Sequence, residues 1–150
     1  MTRQKNALRG HFIAPVTDPK TEPAKEAYKE LAKWIEDVDD DTDEATTSVA
    51  YYDGDGTEET TVTSVKGSYT FKGTYDKEDE AMALVAGLKY KLGNDRLVWH
   101  KVVDSDGKNQ HVGIATVSAI KAGSGAAANY EEFSCKISYN SIPKTTAVVG

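Results

Sequence analysis

Cysteine is almost missing from this sequence: one residue, Cys135, in 150. A lone thiol closes no internal disulfide, and with no second cysteine or histidine close in sequence it nominates no metal site, so Cys135 is expected to be a buried core thiol. Long apolar runs are missing too. No stretch approaches the roughly 18 residues that span a bilayer, and the opening Met1-Thr2-Arg3-Gln4-Lys5-Asn6 lacks the apolar segment of a signal peptide. The expectation is therefore a protein kept in cytosol-like conditions, with no membrane partner. Only 39% of residues are hydrophobic, which favours thin β layers over a thick α/β core with a large cofactor pocket. The length suits one domain.

Catalytic signatures are equally scarce. There is no G-x-S-x-G elbow, no P-loop and no G-x-G-x-x-G opening a helix, and Gly54-x-Gly56 reads as a hairpin turn. His11, His100 and His111 lie far apart and leave a zinc site without a nominated fourth ligand. Asp37-x-Asp39-x-Asp41 and Asp53-x-Asp55 echo the first ligands of a calcium loop. However, Thr42 and Glu58 stand where that loop needs glycine, and Ser48 and Ser64 where it needs a bidentate glutamate. The expectation is no enzyme, no cofactor and no metal.

What is present is a concentration of negative charge. Glu36, Asp37, Asp39, Asp40, Asp41, Asp43 and Glu44 place seven acids within nine residues, and the remaining 17 acids face 18 bases. Such a run repels itself and argues against gripping phosphate. It is expected to be a solvated loop, a rim or a surface facing something anionic.

Along the chain, residues 1–23 hold Pro15, Pro19 and Pro23 without sustained periodicity and read as an extended surface arm. Deleting them is expected to spare the fold. Ala24, Ala27, Tyr28, Leu31, Trp34 and Ile35 recur at helical spacing, but the acids that follow oppose the negative end of a helix dipole, which leaves 24–35 open between helix and strand. Thr46–Tyr52, Thr60–Val65 and Ser68–Tyr75 predict strands, the last with Tyr69, Phe71 and Tyr75 on one face. Asp76, with Asp79 three residues on, predicts a helix start. Ala81, Leu84, Val85 and Leu88 continue the helix, Lys89 and Lys91 sit in its last turn, and Gly93 stops it. Arg96–Val103, Gln110–Lys121 and Tyr130–Ser141 predict three further strands, the last two separated by the uncharged small-residue loop 122–129. The sum is a mainly β (α+β) domain: an antiparallel β-sandwich or barrel of five to eight strands with one flanking α-helix, over 24–143, followed by a 144–150 tail.

The order of these elements resembles a known family. Trp34-Ile35, the acidic stretch, Tyr51-Tyr52-Asp53-Gly54-Asp55-Gly56 and Tyr69-Thr70-Phe71-Lys72-Gly73-Thr74-Tyr75-Asp76 look like the front half of the major tail tube proteins of long-tailed, non-contractile bacteriophages (siphophages). Glu80-Ala81, Arg96-x-x-Trp99, the segment Gly113–Ile120, a Gly/Ala loop and Tyr130–Ile137 follow in the same order, so the resemblance covers about residues 30–143. It implies a structural virion protein that self-assembles into hexameric rings stacked into a tube, with the acidic segment as a loop projecting from the end of the β domain, either at an interface between subunits, where it needs bases such as Lys20, Lys25 or Lys29 from a neighbour, or facing the lumen. It also implies assembly in the host cytoplasm, partners among the tape measure, tail terminator and distal tail proteins, and viral DNA that passes through during ejection without specific binding. The alternative is a small β-barrel ligand- or carbohydrate-binding module, with Tyr51, Tyr52, Tyr69, Tyr75, Trp34 and Trp99 lining a pocket.

Overall fold

The computed structural model describes residues 3–18 and 20–148; Met1, Thr2, Pro19, Val149 and Gly150 lie outside it. Ten strands form among the described residues: β1 (Gly10–Pro15), β2 (Lys29–Glu30), β3 (Ile35–Asp40), β4 (Asp43–Val49), β5 (Glu59–Lys66), β6 (Ser68–Thr74), β7 (Leu97–Val103), β8 (Asn109–Ala122), β9 (Glu132–Tyr139) and β10 (Lys144–Ala147). Among the described residues a single α-helix, α1 (Glu80–Ala86), lies between β6 and β7. Eight strands make one sheet in the order β2-β1-β7-β8-β9-β6-β3, with β10 also on β8, while β4 and β5 pair only with each other. Every pairing is antiparallel. The large sheet curls into a half-barrel.

Period-two alternation decides which face is core. On β6 and β9, Phe71, Phe133, Cys135 and Ile137 point to the face that carries α1, and all are essentially inaccessible. From β7 and β8, Val98, Ala115 and Val117 join them, and α1 closes this face with Ala81, Met82 and Val85. Burying Phe71 and Phe133 contributes about 2–3 kcal/mol each. Burial pushes the Cys135 thiol pKa up to about 12, keeping it neutral. In β8 a bulge falls between Ser118 and Lys121, where Ala119 takes a left-handed backbone (φ 51°); a bulge of this kind adds the bend that curls a sheet. At the sheet's other end, Gly73 lets two strands approach closely, because a Cβ there would collide with Trp34 O and stand 2.8 Å from Ile35 Cα.

Three expectations need correction, and the open choice between helix and strand over 24–35 is decided. Residues 10–15, read as part of a surface arm, form β1, which pairs with β7 along its whole length and buries Ile13 and Ala14 completely. Pro15 misled the reading: it sits at the strand's end, where a missing N–H costs little. Residues 24–35 are not a helix. Lys25–Ala27 form one 3-10 turn, after which Phe12 pairs with Glu30 and Leu31 N–H donates to His11 O at 2.8 Å, so pairing with β1 takes the backbone groups a helix would have used. The predicted helix exists but begins later. Asp79 is its cap, accepting from Met82 N–H at 3.2 Å, while Asp76 accepts from Glu78 N–H and Trp34 Nε1. The helix ends at Gly87, so Lys89 and Lys91 lie beyond it. Residues 144–147, assigned to a tail, pair with β8 as β10.

The core also holds two histidines that the sequence reading left undecided. His11 Nδ1 and His100 Nε2 are 3.4 Å apart, one carrying the shared proton, and the rings of Tyr69, Phe71 and Tyr139 surround them. His100 is fully buried, its Nδ1 without a partner. Desolvation, helped by the Arg9 charge, lowers the His11 pKa to about 4; desolvation and His11 lower that of His100 to about 3.

Two predictions follow from this core. Truncating residues 1–15 is expected to abolish the cooperative thermal transition seen by circular dichroism, because it strips β1 from β7, whereas removing only residues 1–8 retains it. For the histidines, folded-state pKa values below the unfolded value near 6.5 mean that the unfolded chain binds more protons as pH falls. Stability is therefore full above about pH 6.5 and declines as pH drops through 5 and 4. Urea melts should show a loss of about 2 kcal/mol per histidine at pH 4.5 relative to pH 7.5, and His100→Phe should flatten that slope.

Candidate functional site

The acidic run, expected to be a loop, is mostly strand. Glu36, Asp37, Asp39 and Asp40 lie on β3, the outermost strand of the large sheet, and Asp43 and Glu44 open β4. The loop reading failed because charge density marks solvent exposure, and an edge strand is as exposed as a loop. Asp37 stands opposite Lys72 and Asp39 opposite Thr70, whereas Asp40 is opposite Tyr69, so alternation sends neighbouring acids to different faces. Asp41 lies between the strands. Partial burial opposes its ionisation, but hydrogen bonds from Thr70 and Ser68 and the nearby Lys136 charge outweigh it and hold its pKa below the ordinary carboxylate value. Thr70 Oγ1 donates to Asp41 Oδ2 at 2.8 Å, and Lys136 Nζ lies 3.7 Å from the same oxygen.

β3 and β6 do not stop where the large sheet stops. Asp41 N–H donates to Ser68 O, and Asp43 then pairs with Lys66, so the ladder runs on through β4 and β5 to Val49 and Glu59. The result is one long hairpin whose root is in the sheet and whose outer half is an arm. No residue of β4 or β5 is buried. Val49, Val62 and Val65 are exposed, and Tyr51 and Tyr52 stand at the tip, Tyr52 completely so. Both strands are rich in threonine and valine, which explains why they form strands without a core beneath them.

The face of the large sheet opposite α1 divides in two. Near β1 and β7 it is covered by the returning chain: the Lys101 ammonium sits 5.1 Å from the Phe12 ring centroid and 4.3 Å from that of Tyr28, and Tyr28 Oη donates to Glu22. Across β8, β9 and β6 it is open, and presents Thr116, Ser118, Ser134, Lys136, Thr70 and Lys72. Small hydroxyl side chains with a few lysines, edged by Asp37 and Asp39, give a smooth polar surface without a nucleophile–base pair.

The six aromatics that would line a binding pocket are not brought together. Tyr51 and Tyr52 are on the arm tip and Trp34 is more than half exposed, its Nε1 donating to Asp76 at 3.0 Å. Tyr75 stacks on Phe133, and Trp99 is opposite Ala14 and Ile114, on the face away from α1. Only Tyr69 among them borders the cleft of about 370 Å³ between β1 and β3, together with Arg9, His11, Glu36, Asp37 and Asp40. Lys29, offered as a base for the acidic run, is paired with Glu80 at 2.8 Å; Lys20 and Lys25 are exposed. The arm itself was missed by the sequence reading. Its signal was the uninterrupted strand propensity on both sides of Asp53-Gly54-Asp55-Gly56, without the alternation that marks a buried face.

No family model and no curated protein sequence matches the chain. Among solved structures, a chain from the tail of an empty gene transfer agent particle, refined with helical and C6 symmetry, superposes with a TM-score of 0.68 at 12% identity, covering 97% of this chain and 100% of that one. A chain from the virion of a native gene transfer agent particle superposes with a TM-score of 0.70 at 10% identity and the same coverage. Over 97% of its length this chain therefore has the fold of proteins found in the tails and virions of gene transfer agent particles.

Proposed function

We propose that this chain is the repeating subunit of a tail tube, a structural virion protein whose copies close into hexameric rings that stack into the conduit for DNA ejection. The observation that carries the reading is the near-complete superposition on a chain from a particle tail with C6 symmetry. Two features of this chain support it independently. The β4–β5 arm exposes strand backbone, valines and tyrosines on a rigid root, which suits an element that finishes its packing on another copy. The open face supplies a lining of small hydroxyls, with acids at its edge that repel phosphate and so keep passing DNA from adhering.

On this reading the subunit is non-catalytic, assembles in the host cytoplasm without a membrane, and meets the tape measure, tail terminator and distal tail proteins at the tube's core and ends. The acids divide between two roles: Asp37 and Asp39 edge the lumen, and the arm-side acids Asp43 and Glu44 enter the contact with the neighbouring copy. Four acids on an edge strand also discourage indiscriminate edge-to-edge pairing, so the sheet grows only where a partner neutralises them.

Negative-stain microscopy of the concentrated protein is expected to show rings and tubes, and strictly monomeric light scattering over a wide range of concentration and salt would overturn the reading. Replacing residues 44–64 by a short turn should leave the folded circular dichroism spectrum intact and abolish tubes, because the arm contributes nothing to the core. Changing Asp39, Asp40, Asp41 and Asp43 to Asn should make tube length less sensitive to salt than in the wild type; identical lengths at every ionic strength would remove these acids from the interface.

A further inference from the structure

Charge is partitioned within this chain more sharply than its total suggests. Residues 36–65 carry eleven acids and no lysine, arginine or histidine, so on a chain of net charge −6 this segment is −11 and the rest is +5. The segment is β3 and the arm as far as Val65; the arm's one base, Lys66, follows at its root opposite Asp43, and the segment's exposed apolar residues are Val49, Tyr51, Tyr52, Val62 and Val65. A complementary surface must be basic, apolar, exposed and held still, and one turn of the body meets all four conditions.

Between α1 and β7, Lys89-Tyr90-Lys91-Leu92 forms a knob. Tyr90 is 90% exposed and Leu92 83%, a large apolar area to leave in water at one turn. The knob is clamped by Arg96, whose guanidinium donates to Lys89 O at 2.6 Å, to Lys91 O at 2.8 Å and to Val117 O on β8 at 3.3 Å. One side chain thus ties the turn to itself and to the sheet. Lys89 Nζ lies 5.5 Å from the Tyr90 ring centroid, and neither Lys89 nor Lys91 makes an ion pair among the described residues. A pre-ordered aromatic and an aliphatic anchor, flanked by unpaired cations, have the composition of an interface hot spot, because little ordering entropy remains to be lost on binding.

We propose that the Lys89–Leu92 knob is the receptor for the acidic arm of a second copy of this chain, with Tyr90 and Leu92 packing on the arm's exposed valines and tyrosines and the two lysines meeting its carboxylates. This rests on the tube reading for its context, but the contact itself is a property of two copies and needs no ring.

The test places a photo-crosslinking phenylalanine analogue at Tyr90 in the full chain and mixes equal amounts of ¹⁴N- and ¹⁵N-labelled protein, so that contacts between copies are distinguished by mass. Crosslinks between copies that fall within residues 43–66 are expected. Such crosslinks without rings or tubes would uphold the docking and sink the tube reading. Tubes with Tyr90 crosslinked elsewhere, or to nothing, would sink the docking and leave the tube reading standing; neither crosslinks nor tubes would sink both. As a second measurement, Lys89→Glu/Lys91→Glu is expected to keep the wild-type thermal transition, since both side chains are outside the core, while raising the concentration needed for the crosslink about tenfold. Adding Glu58→Lys/Glu59→Lys to that variant should restore it in part, and an unchanged crosslink in the lysine variant would remove the charge pairing from the proposal.

Discussion

Everything in this molecule depends on a β-sheet with enough apolar residues to bury only one of its faces. The alternation on β6 and β9 puts Phe71, Phe133, Cys135 and Ile137 on the helix side and Thr70, Lys72, Ser134 and Lys136 on the other. The short helix α1 caps the apolar side, and the opposite side stays polar and open across β8, β9 and β6. A sheet with one buried face is stable as a monomer yet retains free edges, an open face and strand ends that run past the core. Those are the surfaces from which an assembly is made.

The arm is the direct consequence of that constraint at one end of the sheet. β3 and β6 stay in the core as far as Val38 and Phe71; beyond Asp41 and Ser68 nothing apolar lies beneath the chain, and the same two-stranded ladder continues in solvent. A two-stranded ribbon of this kind is marginal by itself, so its order derives from its root, where Asp41 is fastened by Thr70 and Lys136. The root is rigid and the outer half is unsupported, which makes the arm an element that gains most from a partner.

Much of this was legible in the sequence, and the failures have physical causes. Strands β5 to β9 fall close to their expected places because alternation and turn residues mark them locally: Tyr69 and Phe71 share a face as expected, and Cys135 is in the core. β1 was illegible because a six-residue strand closed by proline carries little local signal and owes its burial to β7, which lies far away in sequence. The helical spacing of 24–35 was real, but Tyr28 and Leu31 satisfy it by packing on β1 and the core in an irregular conformation. Tertiary pairing overrode propensity there. The buried His11–His100 pair could not be read at all, since 89 residues separate its members.

The acidic run shows most clearly how local and global information divide. Read as a sequence, seven acids in nine residues pose a choice between lumen and interface, as if they moved together. Placed on β3 and β4, they cannot: a strand turns successive side chains to opposite sides, and the ladder carries the later acids out of the sheet and onto the arm. Asp39 belongs to the open face, Asp37 stands opposite Lys72 at that face's edge and also borders the cleft, Asp40 lies in the cleft beside Tyr69 and Arg9, and Asp41 belongs to the root of the hairpin, where Lys136 compensates it. Asp43 and Glu44 remain as the arm's own charge. The mutual repulsion that a clustered sequence implies is thereby spread over several environments: Asp41 is paired with Lys136 and Asp43 stands across from Lys66 at the arm's base, while the acids farther along the arm have no ion pair among the described residues. That residual charge is what a second copy, with a body of opposite net charge, is suited to receive.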